Sequence, residues 1–234
     1  MTLLARRGVF LVGTDTGVGK TAVGCALLRL ALRLGRRPVP LKPVETGCQP
    51  DPDDALRLLS ASTRSDLPLA LVCPHRFPTP VAPAQAAAEA GVSLTLPALA
   101  ATMTAASAHG DFLLVESAGG LLSPYSPEIT GADLATASGL PLLLVARNAL
   151  GTINHTALAL AEIRRRALPL AGLVLVDVSP QATPDRPHNA GLIEAIGAER
   201  PLASLPFVPG PDADRLADEL DRQIPAARLF ARFG

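Results

Sequence analysis

Only two lysines, Lys20 and Lys42, stand among the 21 Lys and Arg residues of this 234-residue chain. An arginine-rich codon bias with two chance survivors would explain that count. So would a need for a compact ammonium point charge, a task the planar guanidinium fork does poorly. Lys20 sits in Gly13-Thr14-Asp15-Thr16-Gly17-Val18-Gly19-Lys20-Thr21, between an apolar run and a helix-period stretch. That order suits a phosphate cradle. Glycines let backbone N–H groups turn toward phosphate oxygens, the lysine reaches the terminal phosphates, and the Thr21 hydroxyl is placed for Mg²⁺. The first glycine comes one residue earlier than in the usual G-x₄-G-K-[ST] spacing, at Gly13 where Thr14 would hold that place, so the loop is a variant.

Lys42 ends a second apolar run, in Leu41-Lys42-Pro43-Val44-Glu45-Thr46-Gly47. It is either an ordinary strand-end lysine or a second ammonium aimed at a transferring phosphoryl group, where electrostatic stabilisation is the protein's main contribution. Two carboxylates are candidates for a metal site with Thr21. Asp54 follows a proline-rich turn and would serve equally as a helix cap. Glu116 ends the apolar run from Asp111 and precedes Ser117-Ala118-Gly119-Gly120, where burying it without a cation would be costly. Further along, Asn148-Ala149-Leu150-Gly151-Thr152-Ile153-Asn154-His155 opens a helical stretch. Its start either exposes N–H groups to an anion or is capped by Thr152 or Asn154.

These groups need a frame. Short apolar runs alternate with helix-period stretches, which predicts an α/β fold of the P-loop NTPase type, a mostly parallel sheet with helices on both faces. Strands are expected at 8–13, 38–43, 111–116, 140–147, 170–177 and 201–206. Helices are expected at 19–34, 53–61, 82–90, 96–108, 131–138, 152–167, 188–196 and 213–222. The proline-rich stretch 67–83 reads as an irregular excursion. Residues 1–234 read as one domain, within the size a single core supports.

The 21 acidic residues cancel the basic ones and 48% of the chain is hydrophobic, so neither a nucleic-acid partner nor disorder is expected. No apolar run is long enough to span a membrane, and Arg6 and Arg7 lead directly into a strand, so a cytoplasmic protein is expected. Cys25, Cys48 and Cys73 show no paired spacing, and four scattered histidines suggest no zinc site.

Together, Gly13–Thr21, Lys42-Pro43 with Thr46-Gly47, Asp54, Val115–Gly120 and Gly151–His155 resemble the dethiobiotin synthetase family over nearly the whole chain. The resemblance implies an ATP-dependent ring closure in which 7,8-diaminononanoate, CO₂ (or bicarbonate) and MgATP yield dethiobiotin, ADP and phosphate. It implies that Lys20 and Lys42 are catalytic and stabilise carbamate and γ-phosphate charge, and that Thr21, Asp54 and Glu116 bind Mg²⁺. Gly17, Val18, Gly19, Lys20, Thr21 and Ala22 would wrap the phosphates. Ser117, Ala118, Gly119, Asp177, Pro206, Phe207 and Val208 would complete the nucleotide site. Thr16, Lys42 and Thr46 would touch the diamine, and Leu150, Gly151 and Asn154 would hold its carboxylate across a homodimer.

Three departures accompany the resemblance. Gly17 stands where family members often have glutamate, Ser117 interrupts the usual Glu-Gly-Ala-Gly, and Val176-Asp177 replaces a base-reading Asn-Asp pair. Loss of that amide predicts relaxed choice among nucleoside triphosphates. The alternatives are a partitioning-type switch ATPase, disfavoured by Asp15 where such proteins carry a second lysine, and a related amide ligase. The latter normally needs a glutamine-hydrolysing cysteine, for which no residue here is suitably placed.

Overall fold

The computed structural model describes residues 7–210 and 212–234, so Arg6 of the N-terminal reading lies outside the described residues. Six strands form one parallel sheet: β1 (Gly8–Gly13), β2 (Pro38–Leu41), β5 (Phe112–Gly120), β6 (Leu142–Arg147), β7 (Leu170–Val176) and β8 (Ala203–Leu205). Their order is β2-β5-β1-β6-β7-β8, so β1 lies in the interior beside the point where the winding reverses. Ligand crevices of such sheets open at the carboxyl ends of strands near that reversal.

Strand alternation builds two cores. Phe10, Val12, Leu113, Val115, Leu142 and Leu144 face one side of the sheet, and Val9, Leu11, Phe112, Leu114, Leu143 and Val145 face the other. With both faces covered, the strands read as continuous apolar runs rather than as alternating ones. On the first side pack α5 (Leu96–Ser107), α6 (Gly131–Ser138), α7 (Thr152–Arg165) and α8 (Arg186–Ala195). On the second pack α1 (Lys20–Arg33), α9 (Ala213–Gln223) and the short α10 (Ala226–Phe230). Among the described residues no helix is long and apolar enough to cross a membrane.

The excursion expected at 67–83 is more ordered than its prolines imply. It contains α3 (Leu69–Val72) and β4 (His75–Phe77), followed by α4 (Pro83–Glu89). The predicted second strand also ends early. Lys42 N–H turns out of the sheet to donate to Val72 carbonyl at 2.7 Å. The chain then resumes as β3 (Val44–Thr46), paired in parallel with β4 in a separate two-stranded sheet. Proline at position 43 cannot donate to the ladder, which favours the break there. Strand β5 continues past Glu116 to Gly120 because it pairs with β1 as far as Gly13.

The C-terminal segment closes the second core. Phe230 lies 4.9 Å from Phe112 and 5.4 Å from Phe233 between ring centroids, with the Arg36 guanidinium 5.3 Å from its ring. Each ring is essentially buried. The substitution Phe230→Ala removes a large side chain from a close-packed cluster, so stability should fall by about 3–5 kcal/mol in urea unfolding. A change below about 1 kcal/mol would mean that α10 does not seal this core.

Candidate active site

Strand ends and helix starts meet in one cavity of about 730 Å³. Thr21 enters from the first turn of α1, Lys42 from the end of β2 and Glu116 from the middle of β5. Asp54 enters from the first turn of α2 (Asp53–Ser62). The Lys42 ammonium donates to Asp54 Oδ2 and to Glu116 Oε1, both at 2.6 Å. The Thr21 hydroxyl lies 2.7 Å from Asp54 Oδ1 and 3.0 Å from Glu116 Oε1, and its single proton serves one of them at a time. Lys42 is 3% exposed and Glu116 is fully buried.

Burial alone would lower the Lys42 pKa, but the Glu116 and Asp54 carboxylates outweigh it and hold the ammonium charged well above the usual lysine range. Burial would likewise raise the Asp54 carboxyl, yet the Lys42 charge and hydrogen bond keep it below its ordinary value. Lys20 borders the same cavity and donates to Asp15 carbonyl at 3.0 Å. Burial pushes it down to about 8, against the opposing pull of Glu116. The two lysines therefore share one cavity in different electrostatic states.

The loop geometry explains its variant spacing. A Cβ on Gly13 would lie 2.9 Å from Lys20 Nζ and 2.7 Å from Asp15 carbonyl oxygen, so only glycine lets the ammonium fold back over the strand end. Gly19 has φ 96°, and a Cβ there would lie 2.8 Å from Val176 Cγ1. Val176 thus packs directly beneath the start of α1.

Of the predicted nucleotide residues, Gly17, Gly19, Lys20, Thr21, Ala22, Asp54, Glu116, Ala118 and Gly119 border this cavity. Thr16, Lys42 and Thr46, expected on the diamine side, border it as well. A second cavity of about 620 Å³ adjoins it, lined by Asp177, Pro206, Phe207 and Val208 together with Val176. Asp177 accepts a hydrogen bond from Asn148 Nδ2 at 2.9 Å and lies 3.5 Å from Arg186 Nη1.

Val18 and Ser117 border neither of these two cavities. Next to Glu116 on β5, Ser117 points to the opposite face, where it is fully buried and its hydroxyl has no partner. Val18 is turned into the second core.

Leu150, Gly151 and Asn154 also lie outside both cavities, and Leu150 is 86% exposed. The capping alternative for this helix is not what forms. The N-cap of α7 is Gly151, no side chain caps it, and the buried Thr152 hydroxyl has no partner. Nor does Asp54 cap α2.

That task falls to Glu45, a residue the sequence reading did not single out. Its buried carboxylate accepts from Asp54 N–H at 3.0 Å and from Ala55 N–H at 2.9 Å. Burial raises its pKa, with the Ala55 N–H pulling the other way. The cap comes from β3, on the far side of the turn that precedes α2, so the usual N-cap spacing does not announce it. Tyr125 was missed for the same reason. It is the single tyrosine, and its buried hydroxyl accepts from Ala118 N–H at 2.7 Å, bracing the cavity wall.

The donor set suits a hard divalent cation, since Thr21, Asp54 and Glu116 offer oxygen only and Glu116 Oε2 is buried with no hydrogen-bond partner. A lysine that bridges both carboxylates and a second, less proton-retaining lysine beside a glycine loop can together stabilise charge on a transferring phosphoryl group.

A family model described as an AAA domain matches residues 7–215. The ATP-dependent dethiobiotin synthetase BioD of Anaeromyxobacter dehalogenans strain 2CP-1 / ATCC BAA-258 is 47% identical, over 87% of this chain and 91% of its own length. The protein of the same name from strain 2CP-C is 46% identical, over 96% of this chain and 100% of its own. A ParA family ATPase from Chlorobium tepidum TLS shares the fold with a TM-score of 0.54 at 13% identity, covering 97% of both chains. With nearly half of its residues identical to these synthetases over almost its full length, and with their expected blocks gathered at one end of a parallel sheet, the chain belongs to the ATP-dependent dethiobiotin synthetase family.

Proposed function

We propose that the chain catalyses the ATP-dependent ring closure of 7,8-diaminononanoate with CO₂ to dethiobiotin, a step of biotin biosynthesis. The observation that carries this is the convergence of Lys42, Asp54, Glu116 and Thr21, with Lys20, in one cavity beside a second that suits a nucleotide base.

One amine of the substrate takes up CO₂ and releases a proton, forming a carbamate. A carbamate oxygen attacks the γ-phosphorus, the bond to the bridging oxygen breaks, and ADP leaves with its electron pair. The second amine then attacks the carbonyl carbon of the mixed anhydride, and phosphate departs as the ureido ring closes and that amine gives up a proton. Lys42 holds carbamate and phosphoryl oxygens in register, and Lys20 follows the charge that develops on the terminal phosphate. Thr21, Asp54 and Glu116 would hold magnesium, which when bound neutralises phosphate charge. Thr16 and Thr46 border the cavity where the diamine would lie.

Leu150, Gly151 and Asn154 serve a partner subunit in this reading. Their exposure on the head of α7, together with exposed Leu122 and Leu158, supports a homodimer whose substrate site is completed across subunits. A cytoplasmic setting accords with three buried free thiols. The switch-ATPase alternative retains only a likeness of fold, at 13% identity.

Three measurements test these assignments. Phosphate release from MgATP and bicarbonate should require 7,8-diaminononanoate and be accompanied by a ureido product in mass spectra. Diamine-independent hydrolysis without that product would exclude the ligase. Lys42→Arg should fold yet lose at least about tenfold in turnover, because a forked guanidinium cannot reproduce the ammonium position between Asp54 and Glu116; wild-type rates would show the lysine to be incidental. With apolar Val176 at the base cavity, kcat/KM for ATP, CTP and GTP should agree to within about tenfold, less than one good hydrogen-bonded discrimination provides. A preference for ATP of a thousandfold would refute relaxed choice.

A further inference from the structure

The two cavities share a short boundary. Gly19, Ala22, Arg57 and Val178 border both, and Arg57 is the one charged side chain of that set. A nucleotide with its terminal phosphates near Lys20 and its base beside Pro206–Val208 must pass its ribose and α-phosphate across this boundary.

Arg57 is available there. It lies on α2, one turn after Asp54, and its only ion pair among the described residues is with Asp53 at 3.8 Å, beyond hydrogen-bond reach. Its guanidinium makes no hydrogen bond among the described residues. The other arginine of the base-side cavity, Arg29, is committed to Asp214 through two hydrogen bonds of 2.8 and 2.6 Å. Five donors in a rigid fork, partly exposed and uncommitted, suit a phosphate oxygen.

We propose that Arg57 binds the α-phosphate and ribose segment of the nucleotide, supplying affinity common to all bases. The assignment rests on the reading of the two cavities as one nucleotide site. It also gives relaxed base choice a physical basis, because affinity gathered at the α-phosphate does not depend on the base. Arg57 is placed outside the reacting atoms, so it acts on nucleotide affinity and not on the chemical step.

Calorimetric titration with ADP, CDP and GDP in the presence of Mg²⁺ tests this without the diamine. Arg57→Ala and Arg57→Gln should each weaken all three by about tenfold, the loss expected for a charge-assisted contact. Arg57→Lys should recover part of it. Asp53→Ala, which removes the weak ion pair and leaves the guanidinium, should bind within twofold of wild type. In turnover, Arg57→Gln should raise the nucleotide KM with kcat within twofold. If wild type binds ADP and the folded Arg57 variants bind it equally well, the Arg57 assignment fails alone. Loss confined to one base, or a fall in kcat at unchanged KM, would overturn it too. If wild type binds no nucleotide, the reading of the cavities themselves falls.

Discussion

A buried ammonium constrains everything around it. Lys42 is almost fully enclosed, and a charge removed from water must be paired and hydrogen-bonded or give up its proton. Asp54 and Glu116 provide both bonds at 2.6 Å, which fixes the end of β2, the start of α2 and the middle of β5 relative to one another. Glu45 then fixes the approach of α2 by satisfying its first free N–H groups from β3. The break in the second strand belongs to the same device. Turning Lys42 N–H to Val72 carbonyl lets the chain leave the sheet and bring Glu45 to the helix it caps.

The phosphate loop depends on a different constraint, the absence of side-chain volume. Gly13 leaves space for Lys20 to fold back over the strand, and Gly19 lets α1 begin against Val176. The residues that depart from the family pattern have distinct consequences. Gly17 stands at positive φ with open space around its Cβ position, so its place imposes no packing demand. Ser117 is turned away from both cavities, which makes its change from glycine a matter of packing on the far face of β5. Val176 is different, because it borders the second cavity and presents only hydrocarbon there.

The head of α7 lies outside both cavities. It has an exposed leucine, a glycine N-cap at φ 92° and no side-chain cap, and its Thr152 N–H donates to Ala149 carbonyl at 3.0 Å. Behind it, Asn148 donates to Asp177 and accepts from Asn189, tying the ends of β6 and β7 to α8 beside the second cavity.

Much of this was legible in the linear chain. Apolar runs of strand length interleaved with helix-period stretches specify the parallel sheet, and residues following those runs reach the ligand edge because strand ends must lie there. The glycine spacing before Lys20 and the scarcity of lysine likewise single out two residues that the fold brings to one cavity. Tertiary structure alone decided the rest. Glu45 caps α2 and Tyr125 braces Ala118 through contacts between elements that no helix or strand period encodes, and Ser117 lies outside both cavities. Local order within the proline-rich stretch was hidden for the same reason: β4 exists only because β3, thirty or so residues earlier, offers it a ladder of hydrogen bonds.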